Sequence, residues 1–288
     1  MTRYLVTGAG GMLGQDLLAA LKGRDVIGAS RAELDITDSA AVTSATSGVD
    51  VVINAAAFTN VDGAETDEAL AHAINADGAA NLARATGATG ARLIQVSTDY
   101  VFDGVGTTPY LESAPIAPVS AYGRTKADGE RLARELNPEG TFIVRTAWLY
   151  GEHGPNFAST MLRLASERET VDVVDDQVGQ PTWTVDLAKQ IVALIDSAAP
   201  AGNYHATNVG QTSWYGFARA IFAAAGHDPD RVKPTDSSRF VRPAPRPSYS
   251  VLGQDAWRHA SLQPMREWSA ALHAAFAGGA LNVPEAAS

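Results

Sequence analysis

Five short apolar runs rich in β-branched residues punctuate the first half of the 288-residue chain: Tyr4 to Thr7, Asp25 to Ala29, Asp50 to Asn54, Arg92 to Ser97 and Thr141 to Arg145. Each predicts a strand. Val49-Asp50-Val51-Val52-Ile53 hardly alternates, which suits a strand covered on both faces of a parallel sheet and not one with a wet face. Helical periodicity fills the gaps: Asp38 is placed to cap the helix after the second strand, and Asn75 opens a periodic run through Arg84 that fits a helix on the sheet. Regular strand–helix alternation predicts an α/β fold, a Rossmann-type doubly wound parallel sheet.

After about Tyr150 the rhythm loosens. Helical stretches run from about Asn156 to Arg168, Thr184 to Ser197, Ser213 to Ala225 and Pro264 to Ala277, separated by turns such as Asp176 to Pro181 and Arg242 to Pro247. We expect a dinucleotide-binding domain over 1–150 and a smaller, mostly helical substrate-binding lid over 151–288, with the chain returning to the first domain around 184–200. The last residues, Pro284 to Ser288, are expected to fray.

Composition narrows the function classes. A net charge of −10 opposes nonspecific binding to nucleic acid or anionic membranes. Without cysteine there is no disulfide, thiolate nucleophile or thiolate-held metal. The start lacks a signal peptide's charged and apolar regions, and no stretch approaches a membrane span, so the expected location is the cytoplasm.

The first chemical signal is Gly8-x-x-Gly11-x-x-Gly14, between the first strand and a helix. There glycines allow a tight turn and close backbone approach, and the helix N-terminus faces a pyrophosphate. Gly8, Gly11, Met12 and Leu13 are therefore candidate cofactor contacts. NAD-binding units usually carry an acidic residue on the second strand for the ribose 2′-hydroxyl. This chain has Ser30-Arg31 instead, donors suited to a 2′-phosphate, which predicts NADPH with NADH also accepted. Asp35 and Ile36 are placed at the adenine edge, and Ala55, Ala56 and Ala57 end the third strand in side chains small enough for a cofactor to cross.

The second signal is Tyr122-x-x-x-Lys126. With eight tyrosines and four lysines, that spacing arises by chance about 0.1 times in such a chain. On a helix the two side chains share a face, so the Lys126 ammonium is expected to lower the Tyr122 phenol pKa and tune it for proton transfer. Strand four ends Ser97-Thr98-Asp99-Tyr100, at the sheet edge where open α/β folds bind ligands. We assign Thr98 to polarise a substrate carbonyl, Tyr122 to protonate the alkoxide, and Lys126 to tune Tyr122 and bind the nicotinamide ribose.

Together with Asn54-Ala-Ala-Ala57, Arg145-Thr-Ala-Trp148-Leu-Tyr150, Gly179-Gln-Pro-Thr182 and the Arg242 to Pro247 segment, these motifs resemble the dTDP-4-dehydrorhamnose reductase family of extended short-chain dehydrogenases/reductases. The resemblance runs to about residue 277. It implies reduction of the 4-keto group of dTDP-4-dehydro-β-L-rhamnose by NADPH or NADH, with a nucleotide sugar as the partner. It also implies that Asp99, Tyr100 and Trp148 lie against the sugar, Asn156 and Phe157 on the substrate side of the lid, and Arg242 and Arg246 at the nucleotide end. Some members are dimers holding magnesium through glutamates; the matching positions here are Asp16, Val185 and Ala274. One carboxylate is a poor magnesium site, so we expect no metal, and either a monomer or a homodimer.

Four other functions compete. Related nucleotide-sugar dehydratases follow the threonine with Asp-Glu, whereas Asp99-Tyr100 lacks the glutamate that dehydration needs. Epimerases hold NAD tightly, against the exchangeable NADPH that Ser30-Arg31 suggests. A non-catalytic NADP-binding regulatory subunit, like the β-subunit of methionine adenosyltransferase, conflicts with an intact Thr98, Tyr122 and Lys126. Closer is a 4-ketoreductase of another dTDP-deoxysugar, such as the dihydrostreptose type of antibiotic pathways.

Overall fold

A computed structural model of the chain describes residues 1–281, so the expected frayed end, Pro284 to Ser288, lies outside the described residues. The first strands are β1 (Arg3–Thr7), β2 (Asp25–Ala29), β3 (Val51–Asn54), β4 (Arg92–Thr98) and β5 (Thr141–Thr146). Shorter ones follow: β6 (Leu149–Tyr150), β7 (Val171–Val174), β8 (Val178–Gly179), β9 (Thr182–Trp183), β10 (Gly202–His205), β11 (Thr212–Ser213) and β12 (Val232–Thr235). Six of them form one sheet in the order β10-β5-β4-β3-β1-β2, and every pairing in it is parallel.

The early helices are α1 (Met12–Ala20), α2 (Ser39–Ala45), α3 (Val61–Thr66), α4 (Glu68–His72), α5 (Gly78–Thr89) and α6 (Ala121–Leu136). Later come α7 (Phe157–Glu167), α8 (Thr184–Asp196), α9 (Trp214–Ala224), α10 (Asp255–His259) and α11 (Trp268–Ala277). As expected, the Asp38 carboxylate caps α2, accepting from the amides of Ala40 and Ala41.

The near-continuous apolar runs are explained by two covered faces. Tyr4, Val6, Val51 and Ile53 pack with Leu13 and Leu17 of α1, with Leu21 just past its end, and with Leu187, Ile191 and Leu194 of α8. Alternate residues of the same strands, Leu5 and Val52, pack on the opposite face with Val42 of α2 and Leu82 of α5. Each fully buried leucine stabilises the fold by about 2 kcal/mol. A second apolar core lies outside the sheet, among Tyr150, Met161, Leu162, Trp183, Phe217, Ile221, Phe222 and Leu272.

Two details depart from the sequence reading. Strand β10 was not anticipated: Gly-Asn-Tyr-His has no apolar pattern, and it becomes a strand by pairing with Phe142 to Arg145 of β5. The helix expected to open at Asn75 is instead continuous with α4 through a π turn at Ala73–Asp77. That wider turn aims the Asn75 amide inward, where it accepts from Phe58 N and donates to the Phe58 carbonyl and Thr125 Oγ1.

Helix α6 is bolted to the sheet by charge. Glu130 and Arg145 of β5 form a two-pronged ion pair, Nε–Oε1 2.9 Å and Nη2–Oε2 2.7 Å, with both side chains buried. Arg145 Nη1 also lies 3.2 Å from His205 Nε2 on β10. Burial and the adjacent guanidinium hold His205 down to about 3, so the imidazole is neutral; Nε2 accepts from Arg145, and Nδ1–H donates to the Gly253 carbonyl at 2.8 Å.

Removing one partner of such a buried pair leaves the other charge stranded. Glu130→Ala is expected to lower unfolding free energy by about 3–5 kcal/mol in urea titrations. Glu130→Gln, which keeps an accepting oxygen, should lose less; a Glu130→Ala protein within about 1 kcal/mol of the parent would contradict this account.

Candidate active site

The carboxyl ends of β1, β3 and β4 open into a cavity of about 990 Å³, at the point where the connections leave β1 in opposite directions. Its floor is the turn between β1 and α1. Gly8 has φ +68°, and a Cβ there would lie 2.6 Å from Ala56 N, so only glycine lets this turn pass the end of β3. Gly11 N closes the turn on the Gly8 carbonyl at 2.9 Å. No side chain caps the N-terminus of α1, which leaves its amides facing the cavity, as a pyrophosphate requires. Ser97 Oγ and Thr146 Oγ1, both in the cavity wall, are buried without a hydrogen-bond partner. Turn, bare helix end and spare hydroxyls suit a dinucleotide.

Every cofactor residue expected from sequence lines this cavity: Gly8, Gly11, Met12, Leu13, Ser30, Arg31, Asp35, Ile36, Ala55, Ala56, Ala57, Tyr122 and Lys126. One expected donor is already engaged. The Ser30 amide and hydroxyl donate to the Glu33 carboxylate at 2.8 and 2.7 Å, so a 2′-phosphate there displaces Glu33, and Arg31 is the donor not tied to it. Asp35 is held by the Thr37 amide and hydroxyl at 2.9 and 2.8 Å.

Tyr122 stands on the first turn of α6. Ser120 Oγ accepts from Gly123 N at 3.1 Å, and Glu65 Oε1 accepts from Ala121 N at 2.8 Å, so both neighbours of the phenol are fixed in the backbone. The Tyr100 ring meets Tyr122 edge-on, 5.5 Å between centroids. Lys126 lies one turn on and is buried, its ammonium donating to the Val96 carbonyl at 2.7 Å.

The electrostatics correct the sequence reading of this pair. Lys126 was expected to lower the Tyr122 pKa. Instead, burial pushes the phenol up to about 12, the Asp99 charge adding to the rise and the Thr98 hydroxyl opposing it. Burial also pulls Lys126 down to about 8, against the attraction of Glu130. A desolvated phenol keeps its proton, so Tyr122 stands here as an acid. Thr98 differs too: its hydroxyl donates to Asp99 Oδ1 at 2.9 Å and must turn from Asp99 to reach a substrate carbonyl. Burial lifts Asp99 itself to about 6, against the pull of Ser250 and Thr98.

Of the remaining substrate residues, Thr98, Asp99, Tyr100, Tyr122 and Trp148 line the cavity, whereas Asn156, Phe157, Arg242 and Arg246 do not. Asn156 caps α7, accepting from Ser159 N. Phe157 packs on the second apolar core, 4.5 Å from Trp214 and 5.6 Å from Phe217 between centroids. Arg246 pairs with Asp62 of α3 at 2.9 Å, and Arg242 approaches the same carboxylate at 3.9 Å. Thr59, His153 and Trp214 also line the cavity and were missed; they come from loops and a helix start that meet only in three dimensions.

At the positions matched to a magnesium site, Asp16 is buried on α1 with His153 Nε2 at 4.0 Å. Val185 and Ala274 pack against the second apolar core. Among the described residues no three His, Asp or Glu side chains gather to hold a metal ion.

The model of the RmlD substrate binding domain family matches residues 2–280. A dTDP-4-dehydrorhamnose reductase from Streptomyces griseus is 52% identical over 282 residues, 95% of this chain and 93% of that one. A dTDP-4-keto-6-deoxy-D-glucose reductase from Streptomyces niveus is 50% identical over 281 residues, 95% of this chain and 96% of that one. The crystal structure of a dTDP-4-dehydrorhamnose reductase from Bacillus anthracis in complex with NADP superposes with a TM-score of 0.93 at 39% identity, covering 96% of this chain and all of that one. The chain belongs to the dTDP-4-dehydrorhamnose reductase family of extended short-chain dehydrogenases/reductases.

Proposed function

We propose that the protein reduces the 4-keto group of dTDP-4-dehydro-β-L-rhamnose to give dTDP-L-rhamnose, with NADPH as reductant. The observation that carries this reading is a partly buried Tyr122 that keeps its proton beside Thr98-Asp99-Tyr100, with no glutamate following Thr98-Asp99, in the wall of the cavity that opens over the β1–α1 turn. One carbonyl needs one proton. Residues 151–281 act as the lid over the sugar, and α8 and β10 return the chain to the sheet.

The Gly8–Leu13 turn, Arg31 and Ala55–Ala57 hold the dinucleotide, with Lys126 at the nicotinamide ribose. Bound NADPH supplies the hydride that reduces C4. Tyr122 gives its phenolic proton to O4 as that carbon is reduced, so the O–H bond of the phenol breaks and that of the product alcohol forms. The Lys126 ammonium, one turn away, stabilises the phenolate left behind until solvent reprotonates it. Thr98, once turned from Asp99, donates to the same O4 and holds the ketone in line.

A panel of dTDP-4-keto sugars, with NADPH oxidation followed and product stereochemistry determined, tests the reading. It includes dTDP-4-keto-6-deoxy-D-glucose, the sugar in the Streptomyces niveus relative's name. Turnover of dTDP-4-dehydrorhamnose slower than another member would reassign the substrate. Tyr122→Phe should reduce kcat by roughly 10²- to 10⁴-fold, the range of a lost general acid; full turnover by that variant would remove Tyr122 from the chemistry.

Lys126 carries its charge below a pKa of about 8 and loses it above, so kcat/KM should fall on the alkaline side with a limb near that value. In Lys126→Arg, whose guanidinium stays charged, the limb should vanish from the remaining activity; an unchanged limb would assign it elsewhere. Arg31→Ala should raise KM for NADPH about tenfold or more while sparing NADH, as expected for one lost charge-assisted hydrogen bond. Equal losses with both cofactors would refute the 2′-phosphate assignment.

A further inference from the structure

Trp148 is one of only two described non-glycine residues at positive φ, with φ +47°, a conformation a bulky residue keeps only where its surroundings impose it. The surroundings are visible. On one side, the Trp214 indole stacks nearly parallel at 3.6 Å between centroids, with 8° between planes. Gly179 lies so close that a Cβ there would sit 2.5 Å from the indole Cε2. Below, the Trp148 carbonyl accepts from Thr182 N at 3.1 Å. The Gly179-Gln-Pro-Thr182 motif thus wraps Trp148: glycine gives the indole room and threonine anchors its backbone, while Gln180 Oε1 fixes the segment by accepting from Leu252 N and Thr207 Oγ1.

The outer ring is itself supported. Phe157 sits 4.5 Å behind Trp214 and 5.6 Å from Phe217, which meets Trp268 at 6.0 Å, all between centroids. This aromatic ladder runs from the cavity wall into the second apolar core. It joins a residue held at positive φ in the cavity wall to the second apolar core.

We infer that Trp214 and Gly179 are positioning residues that clamp the Trp148 indole as a rigid wall against the sugar, and so set discrimination among 4-keto sugars without touching the reacting atoms. The inference rests on the reductase reading above and deepens it. Indole faces are apolar plates that pack well against the C–H faces of a pyranose, and a wall held within a fraction of an ångström selects ring shape far more sharply than one free to swing. Among the described residues no hydrogen bond or ring contact joins Trp148, Gly179 or Trp214 to the Gly8 turn or Arg31, so cofactor binding should not depend on the clamp.

A double-mutant cycle reads this directly, using the full-length chain with NADPH and dTDP-4-dehydrorhamnose. Trp214→Ala should raise the sugar KM about tenfold or more, with NADPH affinity within about twofold of the parent, and Trp214→Phe should recover most of the loss because a ring can still stack. Gly179→Ala should mimic Trp214→Ala by pushing the indole from its seat. In a Trp148→Ala background, Trp214→Ala should add almost nothing, since the group it positions is gone. Additive losses, failure of Trp214→Phe to rescue, or NADPH affinity falling in step with sugar affinity would each overturn the clamp. A parent that turns over while the cycle is additive sinks only this inference; a parent inactive on every 4-keto sugar of the panel overturns the reductase reading and this inference with it.

Discussion

The buried ion pair between Glu130 and Arg145 is the constraint on which the site depends. Helix α6 carries Tyr122, Lys126 and Glu130 at intervals of four, so one face presents acid, ammonium and carboxylate in a row. The first two must stand at fixed heights above the sheet edge. Two charge-assisted hydrogen bonds to a strand residue fix rotation about the helix axis as well as translation along it. Hydrophobic packing alone would permit small slides. His205, held neutral, accepts from Nη1 of the Arg145 fork and ties the edge strand β10 into the arrangement. Glu130 also attracts the Lys126 ammonium, so the carboxylate that anchors the helix also favours the lysine's charge.

Burial, not the lysine, sets the resting state of the phenol. Tyr122 and Lys126 occupy one desolvated pocket, and each is driven toward its neutral form, the phenol upward and the ammonium downward. This suits a reductase, which needs a proton in place before the substrate arrives.

Much of this was legible along the chain. The β1–α1 glycines, the small residues ending β3 and the Tyr122 and Lys126 spacing are local patterns, and all of them meet at one cavity. Strand β10 left no pattern, because its place comes from pairing with β5 and not from its own side chains. Ser30-x-x-Glu33 has capping-box spacing, so the pairing of Glu33 with Ser30 was itself a local pattern, one that the reading of Ser30 as a phosphate donor passed over. Arg246 and Asp62 lie 184 positions apart, and no window of sequence joins them. Phe157 is a different case: resemblance implies a place on the substrate side of the lid, and its ring packs against Trp214, which lines the cavity, and against Phe217.

The route of the chain through the two cores carries one more consequence. After β5 it builds β6 and α7 outside the sheet, returns as α8 to cover α1, supplies β10 to the sheet edge, and leaves again for α9. A fragment ending near Tyr150 would lack an edge strand and half the cover of one sheet face, with Leu13, Leu17 and Phe142 laid open to water. During synthesis the sheet therefore stays one strand short until the ribosome has passed residue 205, so the turn that faces the cofactor is made long before the strand that completes its sheet.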